Sequence, residues 1–202
     1  MVQRITYIFF LILTLVLLSC GNREKTKEVT NIPTREMDEQ VYLEKGGEIT
    51  GIVFKSMSGK LKQALEQSGV KGAVAYCNLA ASPLVDSLSR AHAVRIKRTS
   101  TNLRNPENAP DEMESKILNQ YLAMTSSADL PEPRVVFSGT DAHYYAPIFL
   151  MDACLKCHGT IHQDIIESDY AVIKNLYPTD QATGYQVGEL RGIWSLTFDR
   201  NQ

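Results

Sequence analysis

Residues 134–159 read RVVFSGTDAHYYAPIFLMDACLKCHG, and the rest of the chain can be laid out from them. Two runs of β-branched and aromatic residues, 134–137 and 143–150, flank Ser138-Gly139-Thr140-Asp141, so the spacing predicts a β-hairpin. Directly after the second run comes Cys154-Leu155-Lys156-Cys157-His158, which has the Cys-x-x-Cys-His spacing of c-type haem attachment. The chemistry requires that spacing. Two thiols that add to the two vinyl groups of one porphyrin must project from one side of a single helical turn. The next residue then carries its imidazole beneath the iron as the proximal axial ligand. Two other chemistries use the same side chains: a redox-active Cys154–Cys157 disulfide, and a zinc ion held with His158 or His162.

Upstream, Ile49, Val53, Met57, Leu61 and Leu65 fall on one face of a helix over 48–67, stopped by Ser68-Gly69. An Ala-rich second helical stretch over 70–81 carries Cys77. Ser82-Pro83 reads as an N-cap followed by proline at the first helical position, restarting a helix that runs to His92. Residues 94–98 alternate apolar and basic, as a strand with one buried face does. A loop rich in Asn and Pro follows over 102–110. Asp111 and Glu114 have capping-box spacing, and Met113, Ile117, Leu118, Tyr121 and Leu122 continue as a helix. Downstream of the motif, 168–176 is a short helix ending before Pro178, and 185–198 reads as two strands joined around Gly188 to Gly192. Helices and antiparallel strands interleave without a βαβ rhythm, so the class is α+β with a single sheet.

The N-terminus has targeting character. Arg4 precedes an apolar run over 5–18, which is short against the roughly 20 residues of a membrane span. The run ends in Leu17-Leu18-Ser19-Cys20, which resembles the lipobox of bacterial lipoproteins. The expected organisation is a signal peptide over 1–19, a flexible tether over 20–47 anchored to the membrane by lipid on Cys20, and one domain over 48–202. Two or more acyl chains on one Cys suffice for stable anchoring. An uncleaved anchor helix is the alternative, and either way the domain lies outside the cytoplasm. With 202 residues, 44% of them hydrophobic, the chain can build one good core; 21 basic against 23 acidic residues argue against a nucleic-acid partner.

Four features together resemble a known family, the single-haem c-type cytochromes with a PAS-like fold. They are Cys77 on its Ala-rich helix, Arg98-Thr99-Ser100 followed by Arg104-Asn105-Pro106-Glu107-Asn108, Tyr145-Ala146-Pro147 leading into the haem motif, and Tyr177-Pro178 to Gly184-Tyr185. The resemblance spans about 48–198. It implies a PAS-like antiparallel sheet with flanking helices, one covalently attached haem c with its iron, and a distal Cys thiolate at the position of Cys77. The residues make a separate, weaker case. With Cys20, Cys154 and Cys157 assigned, Cys77 is an odd thiol in an oxidising compartment; an iron ligand accounts for it, and so does an inert buried Cys. Among rival distal ligands, Met151 and His162 lie too close to the motif in sequence, and His143 and His92 read as surface or satisfied core residues. Met113 and Met124 read as packing.

Arg98 and Arg104 suit haem propionates because guanidinium pairs bidentately with carboxylate; a solvated strand end and loop explain them as well. Tyr144, Tyr145, Ile148 and Trp194 can line a macrocycle or simply pack in the core. A His/Cys pair fills both axial positions and lowers the potential. The sequence therefore points to an electron-transfer or redox-sensing protein rather than an enzyme, working with an unidentified redox or signalling partner. A CO or NO sensor in which Cys77 is displaced, and a thiol–disulfide oxidoreductase using Cys154 and Cys157, are the alternatives.

Overall fold

A computed structural model describes residues 34–201, with side chains from residue 38. The expected signal peptide, Cys20 and the first part of the tether lie outside the described residues. Helix α1 spans Thr34–Leu79. Residues 34–47, expected to belong to the flexible tether, are instead helical, with Tyr42 and Leu43 packed on the core. Gly46-Gly47 reads as a breaker in sequence, yet Gly46 lies where α1 crosses β3, and a Cβ there would enter the Tyr144 ring. A residue without a side chain lets the helix approach. Ile49, Val53 and Met57 continue the buried stripe, whereas Ile52 and Phe54 are exposed.

The expected stop at Ser68-Gly69 is a break inside α1. Gly69 adopts φ 61°, ψ −159°, a conformation essentially reserved for glycine, and the helix resumes as far as Leu79. Helix α2, Ala81–His92, follows at once. Ala80 occupies its N-cap without a side-chain bond, so Ser82 is not the cap expected from sequence. Pro83 is accommodated because first-turn N–H groups have no intrahelical partner.

Four strands, β1 (Arg95–Thr99), β2 (Arg134–Ser138), β3 (Asp141–Phe149) and β4 (Leu190–Asp199), form one antiparallel sheet in the order β1-β4-β3-β2. The hairpin joining β2 and β3 is as expected. The tail is not: 185–198 supplies a single strand, with residues 188 and 189 bonding the Leu150 backbone before β4 begins. Strand alternation divides the core by sheet face. Tyr144, Trp194, Leu196 and Phe198 meet α1 and α2 on one side. Tyr145 and Ile193 meet Ile117, Leu118 and Tyr121 of α3 (Glu112–Ser126) on the other. The α3 capping box forms as expected, and Glu114 also accepts from Lys97 Nζ at 2.6 Å.

Beyond a β-bulge between Ile148 and Phe149, a 3₁₀ turn (Asp152–Cys154) leads into the single-turn helix α4, Leu155–His158. Helix α5, Glu167–Leu176, packs Ile173 against Val70 and Val74 of α1, with Cys157 at the edge of that cluster. The last ten residues of α1 thus face the motif across a shared apolar seam. The class is α+β, with helices on both faces of one sheet. Among the described residues, no helix is long and apolar enough to cross a membrane.

Candidate functional site

The consecutive turns 152–154 and 155–158 place Cys154, Cys157 and His158 together where β3 ends. Residues three apart on such a turn share a face. Both thiols are free, as is that of Cys77. The ring Nδ1 of His158 lies 2.7 Å from the Ala182 carbonyl. A carbonyl only accepts, so Nδ1 carries the proton and Nε2 keeps its lone pair. Burial, then the Arg104 and Arg191 guanidiniums, hold this imidazole well below the ordinary histidine range. It is a neutral donor.

The loop over 180–185 is tied to the motif along its backbone. Tyr185 N–H donates to His158 O at 3.0 Å, and Gly184 N–H to Gly159 O at 2.8 Å. Arg104 reinforces this tie from the loop after β1. Its Nε and Nη2 contact the two carboxylate oxygens of Asp180, each at 3.1 Å, and Nη2 also donates to Cys157 O at 2.6 Å and Ala182 O at 3.2 Å. Both partners are nearly buried. Nε and Nη2 of the guanidinium, expected from sequence as a propionate contact, are thus bonded to the chain itself.

Arg98 differs. It enters from β1 opposite Trp194, with its guanidinium 5.7 Å from the indole ring, and no carboxylate pairs with it among the described residues. Burial lowers its pKa, and the nearby Cys77, Tyr76 and Tyr177 oppose that shift. Burial pushes the Cys77 thiol up, while Arg98 and Arg104 pull it down. Cys157 is pushed up to about 11 by burial, with Arg104 again opposing and Cys77 among the charges it feels. The last turns of α1, the end of β1 and the motif therefore share one electrostatic surrounding. Beside Cys77 in sequence, the buried Tyr76 hydroxyl has no hydrogen-bond partner among the described residues.

Tyr145 does not join this group. It is buried among Tyr121, Ile117, Leu118 and Ile193 on the α3 side of the sheet, where core packing, one of its two expected roles, accounts for it. Tyr144 packs against α1, and Ile148 at the edge of that cluster. Met151 is exposed, His162 pairs with Glu167 at the surface, and His143 contacts Thr197 Oγ1 on the sheet. Met113 and Met124, both on α3, pack against the core cluster on that side of the sheet, as expected. Sequence reasoning missed Tyr76, Asp180, Ala182 and Arg191. Asp180 lies inside the 177–185 stretch already singled out, but a backbone carbonyl such as that of Ala182 leaves no mark in a sequence. Among the described residues, no cluster of three or more His, Cys, Asp or Glu side chains is placed to hold a bare metal ion. A haem asks for fewer protein ligands, one or two on the iron.

A family profile described as Tll0287-like matches residues 22–198. The fold is similar to that in the crystal structure of the cyanobacterial heme-protein Tll0287, with a TM-score of 0.50 and 22% sequence identity over 70% of this chain and 94% of that one. At that identity the likeness speaks to the fold. No curated protein sequence matches the chain.

Proposed function

This chain belongs to the Tll0287-like family, and on that premise we propose that it is a haem protein, specifically a mono-haem c-type cytochrome. Cys154 and Cys157 would carry the thioethers, with His158 and Cys77 as the axial ligands. The observation that carries this reading is His158: its Nδ1 proton is spent on Ala182 O, leaving a bare Nε2 on the same turn as two unpaired thiols. The solved relative of this fold is itself described as a heme-protein. The residues at the far end of the site also fit the group. A haem brings carboxylates, and the half-buried Arg98 guanidinium and the buried Tyr76 hydroxyl have no anion partner among the described residues.

Bound there, the haem supplies a one-electron couple. If Cys77 and His158 both held the iron, no position on it would be left for a substrate, which suits electron transfer or redox sensing and not substrate chemistry. The apolar run and Cys20 support a lipid anchor, with the haem domain outside the cytoplasm. The test is the full chain co-expressed with haem-attachment machinery. It should be coloured, keep its haem after denaturation, and lose it when Cys154 and Cys157 are both Ser. A colourless protein with a reversible Cys154–Cys157 disulfide would reassign the chain to thiol–disulfide exchange. CO binding to the reduced form would move it to gas sensing; an unchanged spectrum keeps it an electron carrier.

A further inference from the structure

Arg104 and Asp180 do more than staple two loops. Ala182 is held at both ends by this pair: its N–H donates to Asp180 Oδ1 at 2.9 Å, and its carbonyl accepts from Arg104 Nη2 at 3.2 Å. That same carbonyl is the acceptor for His158 Nδ1. Arg104 also grips the turn that bears the imidazole, through Cys157 O. One guanidinium therefore fixes the acceptor and the ring that donates to it.

We propose that Arg104, locked by Asp180, is a positioning residue for the axial imidazole that also sets how strongly His158 donates to its metal. The inference rests on the haem reading above. A carbonyl oxygen offers two lone pairs, and here one meets the imidazole N–H while the other meets a cation. A charge-assisted donor withdraws density from the shared oxygen, so the oxygen pulls less on the Nδ1 proton. The ring then has less imidazolate character, and the oxidised iron is stabilised less. Hydrogen bonding to the outer nitrogen of a ligating His is one of the levers by which a protein tunes its metal. Removing the cation should therefore lower the reduction potential.

The experiment compares three holoproteins: wild type, Arg104→Lys, and the double variant Arg104→Gln/Asp180→Asn. The double variant removes both charges together, so no unpaired carboxylate is left buried to unfold the chain. Redox titration and the electron paramagnetic resonance g-values of the oxidised form are read alongside the melting temperature. The double variant should shift the Fe(III)/Fe(II) equilibrium toward Fe(III) about tenfold, roughly 59 mV for one electron, with changed g-values. Arg104→Lys keeps a cation near the same oxygens and should stay close to wild type in potential. If all three share one potential and one set of g-values while only the melting temperature moves, the pair is structural and the inference fails. A wild-type chain that carries no haem overturns the parent reading, and this one with it.

Discussion

At the scale of single residues, the site divides into side chains that bear the chemistry and groups that aim them. Cys154, Cys157 and His158 are legible because only a few residue types perform this chemistry and their spacing is distinctive, whereas Cys77 was singled out by the family resemblance. Arg104 was legible as a residue of interest but not in its role, because its acceptors Asp180 and Ala182 come from a loop distant in sequence. Replacing Cys77 by Ala should abolish the low-spin thiolate absorption of the oxidised protein and raise its potential; a spectrum identical to wild type would remove Cys77 from the iron. Away from the site, Glu114 is only 3% exposed and its Oε2 accepts from both Asp111 N–H at 2.9 Å and Lys97 Nζ at 2.6 Å. Glu114→Ala removes a cap and an ion-pair partner at one stroke and should cost about 1–3 kcal/mol in chemical denaturation. Glu114→Gln can still accept from the cap N–H, so it should cost clearly less.

Among the elements, α1 shows where sequence patterning succeeds and where it stops. The stripe Ile49, Val53, Met57 was readable because its spacing repeats each turn. The two turns before it were not, because glycine has one sequence signature for two physical uses. At Gly46 the missing side chain makes room for Tyr144, whereas at Gly51 a Cβ would meet nothing within 4 Å. The two positions should therefore respond with opposite signs. Gly46→Ala should destabilise by about 1–3 kcal/mol through overpacking. Gly51→Ala should stabilise by up to about 1 kcal/mol through helix propensity. Urea midpoints measured at unchanged m-value would check both. The same ambiguity misplaced the tail: Gly188 and Gly192 suggested a hairpin, but Gly192 lies inside β4 paired with Ile148.

For the molecule as a whole, the class was legible from the alternation of short strands with amphipathic helices, while strand order was not, since pairing depends on contacts far apart in sequence. Tyr144 and Tyr145 on opposite faces of the sheet, and Tyr121 on α3, are buried phenols, and burial raises the pKa of each. Up to pH about 10, the ordinary tyrosine value, folded and unfolded chains both hold these protons and stability is unaffected. Above it the unfolded chain ionises first, so stability falls as pH climbs. Tyrosinate absorbance should therefore appear together with loss of secondary structure in an alkaline titration. Early ionisation of all nine tyrosines in a still-folded protein would contradict this burial.

Strand β4 lies between β1 and β3 yet follows both in the chain. Until residues 190–199 pair, β1 has no strand beside it and the β2–β3 hairpin stands alone, so the sheet closes only when its fourth strand arrives.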